Sequence, residues 1–115
     1  MSQVRIKEPI VGLMVVPGCA HTLTVDCVKP DGTAFDLTGY SVKAKVQIGL
    51  VEETITGTIV SAVGGTSKVT LANANTTDYP TASNGTITLY ADPSAGSENL
   101  HISTVLFRTA NEVVP

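Results

Sequence analysis

The stretch YSVKAKVQI, residues 40–48, decides the fold class of this chain. Apolar side chains occupy every second position of it, and polar side chains lie between them. The apolar positions are Tyr40, Val42, Ala44, Val46 and Ile48. A period of two places the two sets on opposite faces of a pleated strand, whereas a helix needs apolar residues three to four positions apart. The stretch therefore predicts a β-strand with one face on a core and the other in solvent.

Similar alternation recurs along the chain between turns rich in glycine, proline and asparagine. The predicted further strands are residues 21–29, 53–63, 67–71, 86–91 and about 100–109. Gly57 marks a bulge or a close approach in the 53–63 strand, in which Ile55, Ile59 and Val63 share one face, and Gly64-Gly65 closes a hairpin. Residues 72–80 can hold one short helical turn, which Pro80 would end. Short strands separated by frequent turns predict an all-β, antiparallel sandwich of about seven strands.

Two segments are apolar on both faces. In the last strand, Leu100, Ile102 and Leu106 would face one way and Val105 and Phe107 the other, which predicts a central strand or one covered by a partner. The run from Ile10 to Val16 is either sandwiched between two layers or meets another subunit, because such a run does not identify what covers it. We accordingly divide the chain into residues 1–20, an N-terminal apolar arm or first strand, and residues 21–115, the sandwich. The candidate partner-interface residues are Ile10, Val11, Leu13, Met14, Val15 and Val16.

Charge and hydropathy argue against two classes of partner. The 115-residue chain has a formal net charge of -3, and its seven basic residues are dispersed. Nucleic-acid binding needs clustered Lys and Arg, so no nucleic-acid partner is expected. The Ile10 to Val16 run is too short to span a bilayer, so we expect neither a membrane partner nor a targeting segment.

The residue types used in catalysis and metal binding are scattered. Cys19 and Cys27 lie eight positions apart, too far for a disulfide along an extended strand, so free thiols are expected. His21 and His101 have no cluster of further ligands near them in the sequence. We expect a non-enzymatic protein without a cofactor, although a calcium site built from loop carboxylates at one end of the sandwich is conceivable.

Two longer stretches carry a resemblance. PDGTAFDLTGYSVKAKVQI, residues 30–48, and VTLANANTTDYPTASNGTITLYAD, residues 69–92, resemble the immunoglobulin-like domain at the N-terminus of tailed-phage baseplate upper proteins and of related tail and head accessory proteins. The likeness covers about Val25 to Thr109 and implies an immunoglobulin-like sandwich. In the FDLTG step, a structural corner would form in which Asp36 caps backbone amides and Gly39 takes a positive φ. Phe35 and Leu37 would then fill the core.

The resemblance implies a virion structural protein of a tailed bacteriophage, made in the host cytoplasm and incorporated into the particle. It would act as an adaptor or decoration module that binds other virion proteins, on the capsid exterior or on the tail and baseplate, and it would form a homo-oligomer on the particle. The alternative is a carbohydrate-binding module. Sugar binding would depend on exposed aromatic faces, for which Tyr79 and Tyr90 are the candidates.

Overall fold

The computed structural model describes residues 4–8, 10, 12–93 and 99–110. They form two β-sheets packed face to face, which confirms the predicted β-sandwich. One turn of helix, α1, joins the seventh and eighth strands. The elements are β1 (Arg5–Ile6), β2 (Leu13–Val15), β3 (His21–Val28), β4 (Tyr40–Ile48), β5 (Val51–Thr56), β6 (Thr58–Ser61), β7 (Thr66–Leu71), α1 (Asn73–Thr76), β8 (Asn84–Pro93) and β9 (Leu100–Thr109).

The four-stranded sheet has the order β1-β3-β7-β6, and the five-stranded sheet has the order β2-β9-β8-β4-β5. Each pairing is antiparallel except the one between β2 and β9, which run parallel. The parallel pair is possible because β2 and β9 lie at opposite ends of the chain, so no tight turn has to connect them.

The core lies between the sheets, where the predicted period of two is observed. In β4 the side chains of Val42, Ala44, Val46 and Ile48 are buried, as the sequence predicts. The four-stranded sheet covers them with side chains of β3 and β7, which are Leu23, Val25, Cys27, Ser67, Val69 and Leu71. Ser67 is accommodated because its hydroxyl donates a 3.0 Å hydrogen bond to the Thr58 carbonyl.

Gly57 is the point at which the chain passes from one sheet to the other. The predicted single strand over residues 53–63 is therefore two strands, β5 and β6, in different sheets. A Cβ on Gly57 would lie 2.8 Å from the Lys68 carbonyl oxygen, so the crossing needs a residue without a side chain. The expectation that Val63 shares a strand face with Ile55 and Ile59 is wrong, because β6 ends at Ser61 and Val63 is 74% exposed in the following turn.

A β-bulge explains the two-sided apolar pattern of β9. Leu89 pairs with Ser103 and Tyr90 pairs with His101, so Ile102 is an extra residue in β9. The extra residue reverses the alternation, and Ile102 and Val105 both face the core, against the prediction that they face opposite ways. β9 is nevertheless a central strand, as one predicted alternative has it, because it lies between β2 and β8.

The described residues that precede β3 are part of the sandwich. β1 extends the four-stranded sheet and β2 extends the five-stranded sheet, so this segment supplies one strand to each. Val4, Ile6 and Val15 belong to the same buried core as β3 and β4. Of the two alternatives for residues 1–20, the described residues correspond to strands of the domain and not to a projecting arm.

Candidate functional site

The predicted corner is a tight local structure. The Asp36 carboxylate accepts hydrogen bonds from the Thr38 amide at 2.9 Å and the Thr38 hydroxyl at 2.6 Å. These two bonds lower the pKa of Asp36 because they stabilise its charged form. Gly39 has a φ of 85°, Leu37 is buried, and Phe35 is half-buried with its ring centroid 5.6 Å from that of Tyr40. The corner residues therefore hold the chain in place between β3 and β4.

The preceding turn repeats this arrangement at Asp31. Its carboxylate accepts from the Thr33 amide at 2.9 Å and from the Thr33 hydroxyl at 2.7 Å, and its pKa is lowered for the same reason. This pairing was not among the predicted features. The signal was present as two Asp-x-Thr triplets five residues apart, each of which allows one carboxylate to bind the amide two positions on.

The six candidate interface residues fall on different sides of the sheet. Val15 is fully buried, so its assignment to a partner interface is wrong: the parallel pairing with β9 turns it into the core. Ile10, Leu13 and Val16 are half-buried, and Val11 lies outside the described residues. Met14 is 51% exposed, and among these candidates it is the large apolar side chain that reaches solvent.

Met14 borders a groove of about 620 Å³ in the five-stranded sheet, on the side away from the four-stranded sheet. Its apolar side chains on this face are Met14 of β2 and Leu106 of β9, whereas Leu13 and Phe107 belong to the inward-facing register and lie at its floor. Leu106 is 70% exposed, which is unusual for a leucine in the middle of a long central strand. The polar lining residues are Gln47, Asn84, Thr86 and Arg108.

Strand register brings these residues together. Gln47 of β4 pairs with Thr86 of β8, and Thr86 pairs with Leu106 of β9, which places the three side chains in one row across the sheet. On the far side of β9, Met14 of β2 pairs with Arg108. Residues distant in sequence thus form one continuous surface, so no local motif could have revealed it.

Two glycines border the groove. The position of Gly85 faces the core, where an added Cβ would be 2.6 Å from the Phe107 ring and 2.9 Å from the Ile48 Cβ, so a larger residue would disturb the packing beneath the groove. Gly12 has a φ of 67°, a left-handed conformation that favours glycine, and the space beside its Cα is open.

Arg108 gives the groove a positive charge. Among the described residues the ion pairs are Lys43 with Asp92 at 2.7 Å and Lys45 with Glu52 at 3.1 Å, both on the outward face of this sheet. Within the same part of the chain, Arg108 has no carboxylate partner. An exposed guanidinium next to apolar side chains can bind a carboxylate in a fixed, bidentate geometry.

The two tyrosines proposed for sugar binding differ in exposure. Tyr90 is half-buried on the outward face of β8, whereas Tyr79 is buried. The Tyr79 hydroxyl donates a 2.6 Å hydrogen bond to the Glu53 carboxylate, and burial together with this contact raises the pKa of Tyr79. The use of Tyr79 as an exposed aromatic platform is therefore wrong, because its ring packs in the core near Phe107.

The histidines and cysteines do not converge on a site. The His21 ring accepts a 3.0 Å hydrogen bond from the Val16 amide, and His101 lies 3.1 Å from the Thr104 hydroxyl. Both cysteines are free, and burial raises the pKa of the Cys27 thiol to about 11. In the part of the chain that the structure describes, no three His, Cys, Asp or Glu side chains are grouped as metal ligands would be. No helix over the same residues is long and apolar enough to cross a membrane.

The sequence was also compared with known proteins. It matches no protein-family model, and no curated protein matches it.

Proposed function

We propose that this chain is a non-enzymatic protein-interaction module that binds another protein through the groove on the outward face of the five-stranded sheet. The observation that carries the proposal is the exposure of Met14 and Leu106 beside a 620 Å³ apolar groove. Contiguous apolar surface on a soluble domain is energetically unfavourable in water, and it commonly marks an interaction site. A guanidinium and two side-chain amides at the rim add polar groups that can fix the orientation of a bound chain.

We further propose an immunoglobulin-like fold, which the strand order supports. Lettered in chain order with β1 as A and β2 as A′, the sheets read A-B-E-D and A′-G-F-C-C′. Immunoglobulin domains place A, B, E and D in one sheet and C, F and G in the other, and variable-type domains add C′ beside C. The chain lacks the cysteine pair and the tryptophan of antibody domains, since Cys27 on β3 faces no cysteine on β8.

The proposed location is the virion of a tailed bacteriophage, as part of a homo-oligomer bound to other virion proteins on the capsid or on the tail and baseplate. Support comes from the resemblance of residues 30–48 and 69–92 to phage immunoglobulin-like domains. Residues 30–48 form the Asp31 turn, the Asp36 corner and strand β4. These are features of the fold, so the location depends on the resemblance alone.

The test is the composition of purified particles. Particles from cells that produce the chain are separated on a density gradient, and quantitative mass spectrometry measures copies of this chain per copy of the major capsid protein. A ratio near one indicates capsid decoration, and a few copies per particle indicate a tail or baseplate adaptor. Absence of the chain from particles would contradict a virion role.

The carbohydrate-binding alternative is weakened because Tyr79 is buried, and no observation of the structure favours it. A glycan array with strong signals that disappear in Tyr90→Ala would nevertheless place it ahead of the interaction module.

A further inference from the structure

We infer that the groove on the outward face of the five-stranded sheet binds an extended apolar segment of a different protein, and that an acidic side chain of that segment pairs with Arg108. The inference rests on the proposed function in one respect, that the partner is a protein. It adds the chemistry of the partner and the residues that would recognise it.

The walls of the groove define the apolar part of the occupant. Leu106 and Met14 are 70% and 51% exposed, and both side chains lie on the outward face of the sheet. A segment that covered them would remove two large apolar side chains from water at little cost in conformational entropy, because both belong to paired strands.

The rim suits an extended backbone. Asn84 presents a side-chain amide, which can both donate and accept a hydrogen bond, and Gln47 presents a second one whose Nε2 already donates to the Glu52 carboxylate at 3.5 Å. A segment without regular internal hydrogen bonds exposes amide and carbonyl groups that need such partners when they leave water. A helix would satisfy these groups within itself and would not use the Asn84 amide or the Gln47 side-chain carbonyl.

Charge complementarity disfavours a second copy of this chain stacked through the same face. Among the described residues, the carboxylates on the outward face of this sheet are Glu52 and Asp92, and they are already paired with Lys45 and Lys43. A copy stacked on the groove through this face would bring Arg108 no carboxylate without breaking one of those pairs. A partner that supplies its own carboxylate gives Arg108 a charge-assisted hydrogen bond in a partly desolvated setting.

The experiment uses the full chain and a random library of peptides of about nine residues, long enough to cross the groove when extended. Enriched peptides are synthesised, and their affinities are measured by fluorescence anisotropy. We expect them to combine apolar residues with Asp or Glu. Replacing that acid by its amide should weaken binding by about tenfold. In Arg108→Gln the same replacement should have no effect, since the two changes remove one interaction.

Matched variants locate the binding surface. Leu106→Thr should weaken peptide binding, whereas Val63→Thr should not, although both residues are exposed apolar side chains. Lys68→Gln removes a cation from the four-stranded sheet and should leave the affinity unchanged. Circular dichroism of each variant verifies that it is folded.

Several outcomes would overturn the inference. They are a library that yields no enriched peptides, peptide affinities that do not depend on the acidic residue, and equal peptide binding by Leu106→Thr and the wild-type chain. A dimer in sedimentation that Leu106→Thr abolishes would assign the groove to a second copy, and binding to phosphatidylglycerol vesicles lost in that variant would assign it to a lipid surface.

Particles that incorporate Leu106→Thr and Arg108→Gln normally would refute the inference and leave the virion role intact. Absence of the wild-type chain from particles would refute the virion role alone.

Discussion

The Tyr79 phenol and the Asn75 amide both donate hydrogen bonds to the Glu53 carboxylate, at 2.6 and 3.2 Å. Glu53 belongs to the edge strand β5, and its side chain points toward the interior. The two donors come from the segment between β7 and β8, so the cluster fastens that segment to the edge of the sheet. An inward charge on an edge strand also opposes pairing with another chain, because a new neighbour would have to bury it.

At this scale we predict that Tyr79→Phe lowers the free energy of unfolding by about 1–3 kcal/mol, because a carboxylate loses a donor in a partly buried site. Urea unfolding measures the change. Tyr90→Phe is the matched control, since no hydrogen bond of the Tyr90 hydroxyl exists among the described residues, and it should shift stability by less than about 0.5 kcal/mol. Equal effects of the two variants would show that the Glu53 contact is not stabilising.

The pKa values of Tyr79 and Cys27 predict how the stability of the folded protein changes at alkaline pH. Burial raises the pKa of both side chains, and that of Cys27 reaches about 11. The ordinary pKa values are about 8.5 for a free thiol and about 10 for a free phenol. The folded state then retains protons that the unfolded state loses, so stability is full below these unfolded values and falls as the pH rises past them.

We expect the urea midpoint to decrease steadily from pH 8 to about pH 10, where the unfolded thiol and then the phenol ionise. The double variant Cys27→Ala, Tyr79→Phe should start from a lower midpoint and show a shallower decrease. Parallel curves for the two proteins would assign the pH dependence to other groups.

At the scale of elements, local irregularities determine which side chains reach the core. The bulge at Ile102 puts Val105 on the inner face and leaves Leu106 outside, next to Met14. Gly57 divides one apparent strand between two sheets. Both features reverse or interrupt the period of two, and in both places the alternation alone assigns side chains incorrectly.

The bulge predicts opposite responses at neighbouring positions. Val105→Thr should destabilise the protein by about 1–3 kcal/mol, because it buries a hydroxyl without a partner. Leu106→Thr should change stability by less than about 0.5 kcal/mol, because the residue is exposed. Urea unfolding of both variants tests the register of β9, and a larger cost at Leu106 would mean that the strand has the opposite phase.

At the scale of the whole molecule, the N-terminal segment adds an edge strand to each sheet. β1 and β2 place Val4, Ile6 and Val15 in the shared core, while Met14 faces the groove. The surface proposed for binding is therefore built on the same short strand that completes the fold. Because β2 is a paired strand of the sandwich, Met14 is positioned at the groove without a separate arm.

We predict that Val15→Asp prevents folding, because a charge without a partner in the core costs more than about 4 kcal/mol. Met14→Asp should remain folded, with a loss below about 1 kcal/mol, because its side chain is half in solvent. Thermal melts followed by circular dichroism distinguish the two. A folded Val15→Asp protein would mean that β2 detaches as an arm.

The sequence by itself determined the β-sandwich, the strongest strands and the Asp36 corner, because alternation and turn chemistry act between near neighbours. Only the tertiary structure decided which of two apolar faces was covered. Val15 and Met14 are adjacent and similarly apolar, yet the parallel pairing with β9 buries one and exposes the other. The groove likewise combines Met14, Leu106 and Thr86 from three strands, and the registers that join them are set by packing across the sheet, which no single segment encodes.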